Sequence, residues 1–520
     1  MASAAEILRL PPELVLRVSS YLTTTELGSL RATCKQIEAH IFDSFAREFF
    51  TKRQFMIEQV SLEALVGIAN HKTLAPYLQE VIIGLEAFDV SVSGHSIRLR
   101  PNNQRDMTGL VCGDVLLATG HARDLLINAF SKLPNLRIVG LRDYDGKDRL
   151  RDGEHAVWRS YGWSHGLVKT DIHQLATLPS CHIMAFHDAD TIFPTILHSL
   201  AKAGCRPLNI EVFLRQRRLQ DRSFNVLASY MQPKVQPLLA GLRVLLLSLH
   251  IPRNHESYPY FPASATDDDR SAPHGLLRHL LRHTPSLEHL RLNFHSDQYS
   301  GDEFLSWLGE PPQPSSTISS SLHLPRLNKL EVGVVKAEPQ TLARLFTKFP
   351  LSSLSLFKVS LLARHPPKPD ADGDLWKELL HELSRSLWKP LDFKSLMIGF
   401  PSERQHTTNA PHSAHSEWVM FANKVTTDQN GEKHFEDFQS KVEYRKHFGS
   451  DVRLWLKDLA SRTCSYKVHV QKPEESVSED GSDSEVGSGG DESDDDTEVD
   501  GEIVVIEDDD DNDEDNDNDQ

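Results

Sequence analysis

Three stretches of this 520-residue chain bring metal-capable or proton-transferring side chains close together. In AFHDADTIF, His187, Asp188 and Asp190 follow an apolar run, and an imidazole with two carboxylates is a donor set for a divalent cation. The same residue types make a solvated turn with an aspartate capping the next helix, and we read them so. His279 and His283 stand one helical turn apart in GLLRHLLRHTPSLEHL, as zinc-binding pairs do. Leu280, Leu281 and Arg282 lie between them, however, where a metalloprotease needs a glutamate, so the pair reads as the polar edge of a helix. Asp370, Asp372 and Asp374 begin like a calcium loop. That loop needs glycine at its sixth position and an acid at its twelfth; here these are Leu375 and His381. His406, His412 and His415 share no ligand spacing. Arg215, Arg217, Arg218 and Arg222 form the one dense basic patch, without the interleaved aromatics of a single-strand binder. They read as an exposed helix face, and no direct nucleic-acid contact is expected. No glycine-rich phosphate loop and no GxSxG occur. No catalytic residue, cofactor or metal is assigned, and the chain is expected not to be an enzyme.

If the chemistry is not in single residues, it is in surfaces, and the composition says where these lie. The net charge is −18, yet residues 471–520 alone hold 24 Asp and Glu against one Lys. The rest is weakly basic. A tail so charged cannot bury apolar surface and is expected to be disordered. Its Ser476, Ser482, Ser488, Ser493 and Thr497 each have an acid three residues on, the pattern acidophilic kinases favour, and phosphate would deepen the charge. Five dispersed cysteines, without a CxxC, fit reduced thiols rather than a disulfide framework. MASAAEILRLPPEL has neither the basic start nor the apolar run of a signal peptide. The most apolar stretch, residues 239–251, is too short and too basic to span a bilayer. A soluble protein of nucleus and cytoplasm, without a membrane partner, is expected.

The first 55 residues read as three short helices. Pro11 and Pro12 suit a first turn, where their missing N–H groups cost nothing, and Glu13 suits the positive end of the dipole. Leu14, Val18, Tyr21 and Leu22 recur at helical spacing. Thr23 and Glu26 make a capping box for a second helix with Leu27, Leu30 and Cys34. A third, over about 36–55, carries Ile37, Ile41, Phe42, Phe45, Phe49 and Phe50. Such a unit buries little alone and calls for a partner. The succession Leu10-Pro11-x-Glu13-Leu14, Val18, Tyr21-Leu22, Glu26-Leu27, Leu30-Arg31, Cys34-Lys35 closely resembles an F-box, in the short form found in fungal proteins with irregular leucine-rich repeats. Ile37 departs from it where many F-boxes carry an aromatic. The resemblance implies that Leu10, Pro11, Leu14, Val18, Leu22, Leu27 and Leu30 help form a face that docks on a Skp-type adaptor, itself linked to a cullin ubiquitin ligase.

Residues 56–470 repeat one phrase: a helical segment, a proline or glycine, then leucines at alternate positions. It occurs at 133–141, 205–214, 240–251, 284–294, 324–335 and 349–361, with weaker members at 75–85 and 392–400. Pro134, Pro207, Pro285, Pro325 and Pro350 open it. Alternation of period two marks a strand with one buried face. This part resembles a leucine-rich-repeat domain, an irregular solenoid in which parallel strands line one face and helices the other. Polar insertions at 250–275, 309–325, 364–374 and 401–418 read as loops available for target contact, and 436–463 as a capping helix. The fold class is therefore α/β: a three-helix F-box (1–55), an irregular leucine-rich-repeat-like solenoid (56–470) and a disordered acidic tail (471–520).

The expected function is that of a non-catalytic substrate-recognition subunit of a Skp–cullin–F-box ubiquitin ligase, holding a target protein whose identity the sequence leaves open. The alternative is an acidic-tailed binder of basic nuclear proteins such as histones, independent of ubiquitination. One feature of the tail is left over. Ile503, Val504, Val505 and Ile506 interrupt the acids, and with Glu507 and Asp508 they resemble a SUMO-interacting motif. β-Branched residues favour the extended backbone that adds to a partner's sheet edge, while the carboxylates face a basic rim. Ordering a free segment offsets most of the gain, so binding should be micromolar or weaker and should weaken further with salt. In an NMR titration of SUMO, peptide 498–515 is expected to shift resonances along one sheet edge. A peptide with alanine at 503–506 is expected not to; identical negligible shifts for both remove the motif.

Overall fold

Each of the eight leucine phrases folds into a strand, and each strand pairs with its predecessor in the row. The computed structural model describes residues 7–88, 112–146, 150–153, 156–162, 184–186, 188–216, 218–228, 230–250, 261–262, 265–266, 269–270, 272, 274–294, 300–311, 322–363, 374–385, 393–404, 417–428, 433–447 and 450–467. The chain is mixed α/β, with N-terminal helices followed by a sheet-rich region. The helices are α1 (Pro12–Ser19), α2 (Thr24–Thr33) and α3 (Lys35–Phe50). The body then runs β1 (Lys52–Met56), α4 (Gln59–Asn70), β2 (Glu80–Gly84), β3 (Glu86–Phe88), α5 (Cys112–Ala118), α6 (His121–Phe130), β4 (Ile138–Arg142), β5 (Met184–Phe186), α7 (Ala189–Ala203), β6 (Asn209–Phe213), α8 (Gln232–Gly241), β7 (Val244–Leu249), α9 (Gly275–Arg282), β8 (His289–Phe294), α10 (Ser300–Leu308), β9 (Lys329–Ala337), α11 (Pro339–Lys348), β10 (Ser353–Leu362), α12 (Leu375–Arg385) and β11 (Ser395–Gly399). It ends with β12 (Ser402–Arg404), β13 (Glu417–Thr427), β14 (Lys433–Gln439), β15 (Lys441–Arg445), α13 (Val452–Ser461) and β16 (Thr463–Lys467). The acidic tail, with Ile503, Val504, Val505 and Ile506, lies outside the described residues.

Strands β1-β2-β4-β6-β7-β8-β9-β10 stand side by side in that order, all parallel, and β11 and β12 extend the row along β10. Their first residues form one line across the sheet, from Lys52 beside Glu80 through His289 beside Lys329 to Ser353 beside Ser395. A backbone device sets that line. The carbonyl of Thr51 accepts the N–H groups of both Gln79 and Glu80, at 3.0 and 2.9 Å. Gln79 does the same for Arg137 and Ile138, and Arg137 for Leu208 and Asn209. Leu208, Arg243, Glu288, Asn328 and Ser352 continue the series as far as Ser395. Two lone pairs per carbonyl make this possible.

Two residues before each strand sits an anchor: Leu78, Leu136, Leu242, Leu287, Leu327, Leu351 and Phe393 are all buried, with Pro207 in the same place before β6. The alternate residues that follow, such as Ile210 and Val212, Leu290 and Leu292, or Leu354 and Leu356, join the helices in one continuous core. The other strand positions are mostly half-buried and leave an open face. Near the end of the row this alternation changes phase. Gly333, Phe357 and Gly399 are neighbours in the sheet, and the residue after each (Val334, Lys358, Phe400) has positive φ, 53°, 50° and 51°. Such a backbone costs a non-glycine residue about 1–3 kcal/mol. The inserted residues act as stacked bulges: in β9 and β10, Val335 and Val359 return to the core one position late.

Three of the element boundaries expected from the sequence differ in the structure. The third helix ends at Phe50, and Lys52–Met56 is the first strand, because Phe55 and Met56 are buried beside β2 instead of continuing the helical stripe. Of residues 436–463, expected to be helical, 436–445 belong instead to β14 and β15; Val442 and Tyr444 are buried two apart, a strand period, and β15 lies antiparallel to β11. Only 452–461 of that stretch is helix. The supposed loop 401–418 contributes β12 and the start of β13.

Leu290 has no exposed surface and sits mid-sheet between Leu245 and Leu330. Leu290→Ala is expected to destabilise the body by about 2–5 kcal/mol through the cavity it leaves, read as a lowered denaturant midpoint. A shift within experimental error would contradict its place in the core.

Candidate docking surfaces

The N-terminal helices have a small core of their own. Val15, Leu27, Ile37, Ile41 and Phe49 are buried together, and Leu10, Leu16, Leu22, Leu30, Cys34 and Phe45 pack half-buried against them. The turn into α2 is the expected capping box: the Glu26 N–H donates to the Thr23 hydroxyl, and the Thr23 N–H to Glu26 Oε2 at 2.9 Å. Arg31 lies over the Phe45 ring at 3.2 Å and pairs with Glu38 at 2.6 Å. Four large apolar side chains find no such shelter: Leu8, Leu14, Val18 and Tyr21 are 37%, 46%, 44% and 77% exposed. Leu14 and Val18 are one turn apart on α1, so they form a stripe.

Of the seven residues expected at a docking face, Leu14, Val18 and Pro11 are exposed, and Leu10, Leu22 and Leu30 are half-buried. Leu27 is only 2% exposed and serves the internal core instead. It falls on the inner side of α2, facing Ile37 and Ile41, which spacing along a ten-residue helix does not reveal. Tyr21, not among the seven, belongs with the exposed set.

A segment from far along the chain completes this module. Arg151 donates from Nη1 to the carbonyls of Ser19 (2.6 Å) and Leu22 (2.7 Å), and grips the Glu48 carboxylate with Nε and Nη2. Next to it, Asp152 accepts the Thr24 N–H at 2.8 Å and the Thr24 hydroxyl at 2.6 Å. Asp43 of α3 also accepts from Tyr77 Oη at 2.6 Å. The first two residues are more than a hundred positions from their partners, and nothing local in the sequence signals them.

The second surface is the open face of the sheet. Arg215 lies 4.2 Å from the Tyr144 ring centre, and Arg142 and Arg291 lie 5.5 and 5.4 Å from that of Phe213. Beside them Glu331 meets His289 at 2.8 Å, Lys329 at 3.1 Å and Arg291 at 3.6 Å. Burial pushes the Glu331 carboxyl up, but the hydrogen bond with His289 and the nearby charges of Arg291 and Lys329 overcome it and hold it down at about 2. Burial raises Glu211 on the same face.

The residues that suggested metal chemistry are otherwise employed. Asp188 caps α7 as read, its carboxylate accepting the Asp190 N–H. Asp190 is not solvated: it is buried and accepts from the Gln220 N–H and from Arg222 Nε, both at 2.8 Å. His187 lies outside the described residues. His279 is not a polar edge but fully buried, 3.9 Å from the equally buried Asp269, and burial holds its imidazole down at about 4. Asp269 lies in the segment before α9, ten residues ahead of His279, and also pairs with Arg282 of that helix. Arg215 and Arg222 belong to a turn and a short 3₁₀ segment, not to a helix face, and Arg217 is outside the described residues. Among the described residues no cluster of three metal-ligating side chains occurs, and no helix is long and apolar enough to cross a membrane.

Residues 7–52 match the family model of the F-box-like domain. No curated protein matches the chain. Among solved structures, SrfJ from Salmonella typhimurium is similar over 62% of this chain and 67% of its own, at 9% identity and a TM-score of 0.13, too slight a likeness to bear on fold or activity. An F-box implies binding to a Skp-type adaptor and a role in a Skp–cullin–F-box ligase, and such proteins are typically non-catalytic receptors.

One buried acid lies where the open face begins. Glu86 is 2% exposed; its Oε1 accepts from Gln54 Nε2 (2.8 Å) and from the Ser160 hydroxyl (2.9 Å). Gly84 leaves room for it: a Cβ there would stand 1.9 Å from Glu86 Oε2 and would displace the carboxyl. Burial raises the Glu86 carboxyl to about 7. The neutral acid is thus the folded form, and its contribution is complete below the unfolded pKa near 4.5 and lost as pH rises through 7. Glu86→Gln is expected to melt with the wild type at pH 5 and to be more stable at pH 8, by up to about 3 kcal/mol. Parallel melting curves at both pH values would show that the carboxyl does not titrate in this range.

Proposed function

We propose that this chain, with its F-box-like head, is the substrate-recognition subunit of a Skp–cullin–F-box ubiquitin ligase. The observation that carries the reading is the unpartnered stripe of Leu14 and Val18, exposed within the very segment that matches the F-box-like model. Large apolar side chains in a row at a surface mark an interaction site. The body's part is to hold a target. Its repeated parallel strands and helices support a leucine-rich-repeat-like receptor, and the guanidinium and aromatic groups of the open face, with the inserted loops, offer the contact. Catalysis is then positioning. The target's lysines are kept near a ubiquitin-charged enzyme elsewhere in the assembly, a gain in effective concentration rather than side-chain chemistry. Nothing in the reading needs a metal or cofactor. Work in nucleus and cytoplasm suits the free thiols Cys34, Cys205 and Cys464.

The charge of the tail favours a second reading, a binder of basic nuclear proteins such as histones that acts without ubiquitination. The two separate at the adaptor. If the F-box reading holds, Leu14→Asp places an unpaired carboxylate in the contact, at a cost of several kcal/mol. Adaptor binding is expected to fall by at least about a hundredfold while the melting temperature of the body is unchanged, because Leu14 faces solvent in the free chain. Undiminished co-purification of the adaptor with Leu14→Asp would remove the F-box reading and leave the histone-type reading standing. SUMO would be a further partner, through Ile503, Val504, Val505 and Ile506.

A further inference from the structure

We propose that Arg151 and Asp152 are positioning residues of the adaptor-facing surface, so that the body, and not the helical module alone, shapes what docks. The inference rests on the F-box reading above. A helix leaves its last carbonyls and first amides without partners and carries negative charge at its end and positive charge at its start. At the turn between α1 and α2 both kinds of group meet. Arg151 brings a cation to the carbonyls of Ser19 and Leu22, at the end of α1, and Asp152 brings an anion to the first amide of α2, at Thr24. Each sign matches the dipole it faces. The bidentate grip of Arg151 on Glu48 adds α3. One dipeptide of the body therefore ties all three helices.

The residues so tied are not remote from the docking stripe. Ser19 is the residue after Val18, and Tyr21 and Leu22 form the turn itself. α2 already has its own capping box, so Asp152 is not needed to start that helix; what it adds is the direction of α2 relative to α1 and to the sheet. Arg151 has only 10% of its side chain exposed and Glu48 32%, so the pair is sheltered enough to hold an orientation. Two consequences follow for a ligase subunit. The adaptor meets a turn already in its bound shape, which saves ordering cost. A target on the body is also presented in a fixed direction instead of swinging on a hinge.

The test uses the full chain, purified adaptor and the reconstituted ligase. Adaptor affinity is measured by calorimetry, and mass spectrometry maps which of the chain's own lysines accept ubiquitin. Arg151→Ala with Asp152→Ala is expected to weaken adaptor binding about tenfold and to spread ubiquitin over more lysines, while the body keeps its melting transition. Asp152→Asn keeps an acceptor without the charge and is expected to give an intermediate loss; it carries the test if the double variant fails to fold. A purely local packing role would lower the melting temperature and leave the lysine pattern alone. Wild-type affinity together with the wild-type lysine pattern in the folded double variant overturns the proposal. A wild-type chain that does not bind the adaptor overturns the F-box reading, and the proposal with it.

Discussion

Eight backbone carbonyls, each accepting two amides from the next repeat, hold the sheet of this molecule in register. Everything else is arranged around that line. Because side chains alternate along a strand, a slip of one residue would turn every core leucine to the open face. The paired amides forbid the slip, and a buried anchor two residues earlier, usually leucine, brings each strand to the place where they form. Neither device depends on how much chain lies between strands. That is why β9 and β10 follow one another closely while β4 and β6 are separated by a long insertion, yet both pairs share one register.

Fixing the register on the backbone frees the open face to vary. Positions that would be leucine on the inner side are Lys52, Gln54, Arg142, Phe213, Arg291 or Glu331 on the outer one. Acids sheltered there, one half-buried and one buried, are accommodated in two ways. Glu331 gathers cations and stays charged, whereas Glu86 gathers only neutral donors and is neutral at low pH. The first is an ion cluster in the middle of a surface, the second a hydrogen-bonded acid at its end.

Much of this was legible in the sequence, and the reasons are physical. The proline–leucine phrase marked strands because the anchor and the alternation are both core requirements, repeated every time. The Thr23–Glu26 box was legible because capping is local. β1 was not: Lys52–Met56 continues straight from α3, and only pairing with a strand that comes later in the chain makes it extended. The burial of His279 was hidden for a similar reason, since Asp269 reaches it through tertiary structure and the helical spacing of His279 and His283 suggests an edge. Of the residues expected at a docking face, helical spacing showed Leu14 and Val18 as a stripe but could not tell that Leu27 points inward. The clasp of Arg151 and Asp152 was illegible altogether, because its partners lie far off in the sequence and include carbonyls and an amide, which carry no residue identity.

The order of the parallel strands also bears on how the chain is made. Each parallel strand of the main sheet from β2 to β10 finds a partner already synthesised, since one neighbour lies earlier in the chain. Repeats of this kind grow by adding to an existing end, and a chain emerging N-terminus first can lengthen its sheet as it leaves the ribosome, without waiting for distant sequence. The rule fails at the two ends. The head is without its clasp until Asp152 has emerged, some hundred residues after α3 is complete. The last parallel strands acquire their antiparallel neighbours, β15 and β13, only after those later segments have been made. Between those two moments the nascent protein presents a growing sheet with one raw edge, the interval in which it has most need of a chaperone.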